Sequence, residues 1–190
     1  VVVATNGYTG TPFARLRRRV VPIGSHIVAT APLEPGLAAR LIPGRRVLSD
    51  TRHLLHYFRL SPDQRMVFGG RASFTPIGTA RCARHLGDAM RRVFPELGSV
   101  PVDFAWSGNV GFTLDRMPHA GRLDGLHYAM GYCGHGVAYS TWLGARVGEK
   151  LAGGPDLPGD NRFPAIPLYR GRPWFLPFVG AYYRLRDWMS

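Results

Sequence analysis

The feature that most limits what this chain can fold into is the stretch "YAMGYCGHGVAYSTWLGARVGEKL", Tyr128 to Leu151. An apolar, strand-like piece enters a loop stripped of side chains at Gly131, Gly134 and Gly136, and the loop opens a helix. A backbone that bare at a helix mouth leaves the first-turn N–H groups and the positive end of the helix dipole open to a ligand. That pairing suits an anion or a carbonyl oxygen. Inside the helix, Gly136, Ser140, Gly144 and Gly148 recur every four residues on one face. Each interior glycine costs about 1 kcal/mol relative to alanine. Close helix–sheet packing is the expected reason for Gly144 and Gly148, but it does not account for the loop.

Around this unit the chain reads as α/β plus antiparallel β. Val1–Thr5 is a β-branched run expected to be a buried strand. Val20–Leu33 is a second extended segment, which Pro22 and Gly24 mark as an edge or a bend. "HLLHYFRL" (His53–Leu60) and "RMVFGG" (Arg65–Gly70) form a hairpin around the turn sequence "SPDQ". In "TARCARHLGDAMRRVFPEL", Cys82, Leu86, Ala89, Met90 and Val93 fall on one helical face, and Pro95 stops the helix. Val100, Val102, Phe104 and Trp106 alternate on one strand face, with Trp106 expected in a core or domain interface. "GLHYAMGY" is a further strand, and the helix after it spans about Gly136 to Leu151. The expected organisation is 1–19 and 108–153 in one α/β domain, 20–107 in an antiparallel domain, and 154–190 as a tail packed on the body.

Composition narrows the function classes. Of 190 residues, 45% are apolar, enough for a packed core. Cys82 and Cys133 make no disulfide framework, so a reducing, cytoplasmic setting is expected. No apolar run is long enough to span a membrane. The net charge of +12 comes almost wholly from arginine, since Lys150 is the sole lysine. A basic anion- or nucleic-acid-binding module is the alternative that this charge raises. The arginines are dispersed, however. Only "RLRRRV" clusters, and it reads as a solvated turn. Peripheral membrane contact through "PWFLPFVGAYYRLRDWMS" would need one coherent apolar helix face, which the prolines are expected to spoil. Cys133 and His135 as metal ligands or as a nucleophile–base pair are weaker readings, because neighbours on a tight loop seldom converge.

Four segments in order carry a resemblance to a known family. "GYCGHG" with its small-residue helix, "VVVATNGY", "TLDRMPHAG" and the hairpin "YFRLSPDQRMVFGG" resemble the D-amino-acid oxidase (DAO) family of FAD-dependent oxidoreductases. "AWSGNVGFTLDRMPHAG" and "YRGRPWFLPFVGAYYRL" look closest to its gamma-glutamylputrescine oxidase-like branch. The resemblance implies a two-domain fold, part Rossmann-like and FAD-binding, part substrate domain. The GxGxxG that binds the ADP half is absent, so truncation of an N-terminal part is expected.

By resemblance, Ala4, Thr5, Gly7, Asp115, Pro118, Gly131, Gly134, His135, Gly136 and Val137 are cofactor-binding, with Tyr57, Arg59 and His135 lining the substrate cavity. The implied reaction is oxidation of a C–N bond in an amine or amino acid, with oxygen the expected acceptor and hydrogen peroxide the product. No catalytic base is assigned. Sarcosine oxidases carry a lysine where this chain has Ala138, which argues against sarcosine. They also tether flavin through a cysteine near the segment matching "SGNVGFTLD". None stands there, so non-covalent FAD is expected.

Overall fold

The computed structural model describes residues 1–70, 78–157 and 162–189. Part of the proline-rich tail and the residues just after the hairpin lie outside that range. The chain divides into two compact units: Val1–Ile23 with Asn109–Trp174, and Gly24–Gly108 with Phe175–Ser190.

The first unit is α/β. Strand β1 (Val2–Val3) pairs in parallel with β8 (Leu126–Met130), which pairs antiparallel with β7 (His119–Leu123). Expected over five residues, β1 is a two-residue bridge, because Asn6–Tyr8 turns into a 3-10 helix directly after it. Helix α4 (Gly136–Leu151) follows β8. The core gathers Val3, Leu16, Val20, Tyr128, Met130 and Phe163.

Helix α1 (Ala14–Arg17) and its flank correct the reading of "RLRRRV" as a solvated turn. Arg17 donates to the Gly171 carbonyl at 3.0 Å. Arg19 donates to the Phe163 carbonyl at 2.8 Å, and its guanidinium lies 5.9 Å from the centre of that ring. Arg15 pairs with Asp124. These arginines tie the C-terminal segment and the β7–β8 turn to α1. Burial lowers the Arg19 pKa most, and the neighbouring Arg15 adds to it.

The second unit is built on a five-stranded sheet in the order β3-β4-β5-β2-β6. Its strands are β2 (Val21–Pro32), β3 (Leu48–Ser49), β4 (His56–Leu60), β5 (Arg65–Gly70) and β6 (Val102–Phe112). β2 is therefore an inner strand and not an edge. Its irregularity falls between Ala29 and Pro32, and Pro22 lies within the strand. Helix α2 (Pro35–Leu41) is capped by Glu34, whose carboxylate accepts from the Leu37 N–H at 3.0 Å.

Helix α3 (Thr79–Val93) lays Cys82, Leu86, Ala89 and Met90 into the unit's core beside Met66 and Phe68. Burying each large side chain there is worth about 1.5–3 kcal/mol. Val93, expected on that face, is 44% exposed because it lies on the helix's last turn. On β6 the expected alternation slips. Val102 and Ala105 pack against the core, while Phe104 and Trp106 are exposed, so Trp106 is not a core residue.

The hairpin strand begins at His56, three residues later than expected. Asp50 accepts from the N–H groups of Arg52 and His56, while Asp187 accepts from those of His53 and Leu54. Two carboxylates thus take the donors that a longer strand would have needed. Burial of His26 on β2 pushes its pKa down, and its Nδ1 has no partner among the described residues. The unfolded chain therefore takes up the proton first. His26 favours folding above about pH 6.5 and loses that contribution as pH falls through its lower folded value. Urea midpoints across that window should decline less in His26→Gln than in wild type; equal slopes would exclude the effect.

Helix α5 (Leu176–Met189) corrects the reading of the tail, since Pro177 sits in its first turn, where proline is tolerated. Among the described residues no helix is long and apolar enough to cross a membrane.

Candidate functional site

The expected cofactor residues lie on three segments of the first unit, and hydrogen bonds knit those segments together. Asn6, at φ 43°, turns its side chain so that Oδ1 accepts from the Gly131 N–H at 2.9 Å. Gly7 is buried against the backbone of 109–111. The Cys133 N–H donates to the Gly111 carbonyl at 3.0 Å. Thr113 Oγ1 donates to the Met117 carbonyl at 2.9 Å and lies 3.4 Å from the Cys133 sulfur. Residues 5–9, 109–119 and 131–137 therefore form one braced cluster, with Ala4 exposed at its rim.

The loop owes its shape to a run of left-handed residues: Gly131 at φ 85°, Cys133 at 51° and Gly134 at 101°. At Gly131 the requirement is double. An added Cβ would sit 2.3 Å from Thr113 Cγ2, in a backbone region that L residues avoid. His135 then stands at the N-cap of α4 without capping through its side chain. Its N–H is spent on the Tyr132 carbonyl at 2.9 Å, and its carbonyl accepts from Tyr139. Val137 is 91% exposed. The helix begins with no acidic residue in its first turn and no side-chain cap, so its dipole end and first N–H groups face outward.

Asp115 and Pro118 flank the loop at a cavity of about 610 Å³, together with His119, Tyr139 and Trp142. Asp115 accepts from the Met117 N–H at 3.1 Å and pairs with His119 Nε2 at 3.0 Å. His119 is buried and stacked on Phe163, ring centres 4.3 Å apart. Desolvation, the largest single influence on Asp115, raises its pKa. The hydrogen bonds from His119 and Met117 overrule it, and the net direction is down. The Asp115 brace thus persists as a carboxylate at neutral pH.

One expectation is corrected here. The glycine stripe of α4 is not a close-packed face: carbon atoms added at Gly144 or Gly148 would meet nothing within 4 Å. That helix buries Leu143 and Val147 instead. The Cys133 sulfur faces Thr113 and the Gly131 carbonyl, so it is not poised with His135 as a nucleophile. Among the described residues, no group of three His, Cys, Asp or Glu side chains could hold a metal ion.

Tyr57 and Arg59 belong to the second unit, on the β4 face opposite Phe58 and Leu60. The Tyr57 ring lies against Gly69, where an added Cβ would approach it to 2.2 Å. Its hydroxyl shares a 2.7 Å hydrogen bond with Ser25. Arg59 is exposed. Sequence reading missed Ser25 and Asn6. The paired glycines "GG" make room for the Tyr57 ring and gave no signal for Ser25.

Residues 1–150 match the DAO family, described as FAD dependent oxidoreductase. Gamma-glutamylputrescine oxidoreductase from Escherichia coli is 35% identical over 98% of this chain and 45% of that protein. A probable oxidoreductase OrdL from Rhizobium meliloti is 30% identical over 92% of this chain and 43% of that protein. The chain spans a little under half the length of these relatives. The glycine oxidase structure from Geobacillus kaustophilus superposes with a TM-score of 0.64 at 17% identity, over 88% of this chain and 45% of that one. L-proline dehydrogenase from P. horikoshii gives 0.61 at 20% identity, over 83% and 44%. These two likenesses show the fold.

Proposed function

The chain belongs to the DAO family of FAD-dependent oxidoreductases, and on that premise we propose that it is the C-terminal part of an enzyme that oxidises a C–N bond in an amine or amino acid. The observation that carries the proposal is the uncapped, outward-facing N-terminus of α4 at the end of a braced glycine loop. This arrangement fits the pyrimidine end of a flavin, where carbonyl oxygens and developing negative charge need donors. The chemistry supplied by bound FAD is acceptance of a hydride from the carbon beside an amine nitrogen, and the resulting imine hydrolyses in water.

In this reading the chain's own residues bind and position. Main-chain N–H groups at Gly136 and Val137 donate to the cofactor. Ala4, Thr5, Gly7, Gly131, Gly134 and His135 shape its cradle, and Asp115 and Pro118 hold the adjoining turn. The first unit carries the residues assigned to FAD, and the second those assigned to the substrate. Arg59 grips a substrate carboxylate in bidentate fashion, and Tyr57, held by Ser25, orients it. Oxygen is the electron acceptor and the compartment is the cytoplasm.

Two measurements bear on this. Acid precipitation of the complete polypeptide should leave all flavin in the supernatant, since no cysteine stands in the segment "SGNVGFTLD"; colour in the pellet would refute non-covalent binding. Anaerobic addition of gamma-glutamyl amines, glycine or proline should bleach the visible bands for one of them, and air should restore the colour with peroxide release. A flavin that none of these amines or amino acids bleaches would count against the substrate class.

A further inference from the structure

The C-terminal helix α5 presents a face that the flavin chemistry does not use. Phe178, Tyr182, Leu185 and Met189 are 71%, 53%, 52% and 61% exposed. At helical spacing they fall within an arc of about 60°. Trp188, 83% exposed, extends the same stripe. The opposite face is fixed. Asp187 accepts from the N–H groups of His53 and Leu54 at 2.8 and 3.0 Å, Tyr183 stacks on His53, and Leu176 and Gly180 are buried. The stripe is thus held outward on an anchored helix.

Its chemistry selects an occupant. Arg184 and Arg186 flank the stripe on its two sides, and Arg186 donates to the Tyr182 hydroxyl at 3.1 Å. The helix's one acidic residue, Asp187, is turned inward and hydrogen-bonded. A narrow belt of Phe, Tyr, Leu and Trp between arginines, on a chain of net charge +12, has the pattern of a helix lying in the plane of a membrane surface. We propose that α5 docks the protein on an anionic lipid surface, with the aromatic stripe in the headgroup layer and the two arginines on lipid phosphates.

The test is co-sedimentation of the complete polypeptide with vesicles of phosphatidylcholine alone, or mixed with phosphatidylglycerol. Binding to the mixed vesicles only, weakened by salt, is expected. Phe178→Glu and Trp188→Glu should each weaken it about tenfold or more, since each replaces an exposed aromatic that the lipid layer would bury with a charge. Arg184→Glu should act in the same direction, with far-UV circular dichroism unchanged in all three. Absence of binding overturns the proposal, as does binding that the variants do not alter. If wild type is instead a dimer that Phe178→Glu disperses, without vesicle binding, the face belongs to a second copy. If neither vesicles nor oligomeric state respond, the remainder of the polypeptide covers it.

Discussion

Gly131→Ala is expected to destabilise the protein by about 3 kcal/mol and to strip it of flavin. Two costs add at this position. A non-glycine residue in the left-handed region costs about 1–2 kcal/mol. The new methyl group would also lie 2.3 Å from Thr113 Cγ2, so either that side chain or the loop must move. Neither is free to do so. Thr113 is tied to the Met117 carbonyl and the Cys133 sulfur, and the Gly131 N–H is held by Asn6. At roughly 2–4 °C per kcal/mol, the melting temperature should fall by about 6–12 °C. Adding Thr113→Ser removes the clashing methyl and keeps the hydroxyl that donates to Met117. The double variant should recover part of the loss while the backbone strain stays. If Gly131→Ala melts within about a degree of wild type, the loop is not built as described.

Val137→Asp should separate the fold from the ligand. A carboxylate in the first turn of a helix favours that helix by about 0.3–1 kcal/mol. Stability without cofactor should therefore hold or rise slightly. The same charge stands at the helix end proposed to face the electron-rich end of the flavin. Affinity for FAD should fall on the order of tenfold or more, equivalent to about 1.4 kcal/mol. The midpoint potential of whatever FAD remains bound should drop on the order of 30 mV or more. Thermal unfolding with and without FAD, together with a redox titration, reads both effects. Equal losses of stability and affinity would mean that Val137 acts through packing, which its 91% exposure contradicts.

Those two expectations rest on a part of the molecule that was legible in the sequence. A strand, a bare loop and a helix follow from local rules of backbone freedom, and the structure has them at Leu126–Met130 and Gly136–Leu151. The face of α3 was legible for the same reason, because helical spacing is local. What escaped reading was decided at a distance. Strand β4 starts late because Asp187, far along the chain, takes the donors of His53 and Leu54. The arginines of α1 are tied down by carbonyls at Phe163 and Gly171. β6 slips its alternation between Val102 and Ala105, which no local pattern announced.

Strand β7 is a different kind of miss, because its signal was present. Asp124-Gly125 is a two-residue turn with both φ angles positive, 52° and 79°, closing the Leu123–Leu126 pair. An Asp-Gly between apolar residues is among the strongest short-range hairpin signals. Asn6 could not be found in this way. Its value lies in reaching Gly131, a contact set only by the tertiary fold.

Whether the α4 loop is part of a flavin site is read from the visible absorption spectrum of the complete polypeptide after desalting, taken beside the Val137→Asp variant. Two flavin bands are expected in the wild type and markedly less colour in the variant, with both proteins folded. A folded wild type that is colourless and takes up no added FAD would contradict a flavin site there, as would a variant that keeps its flavin in full.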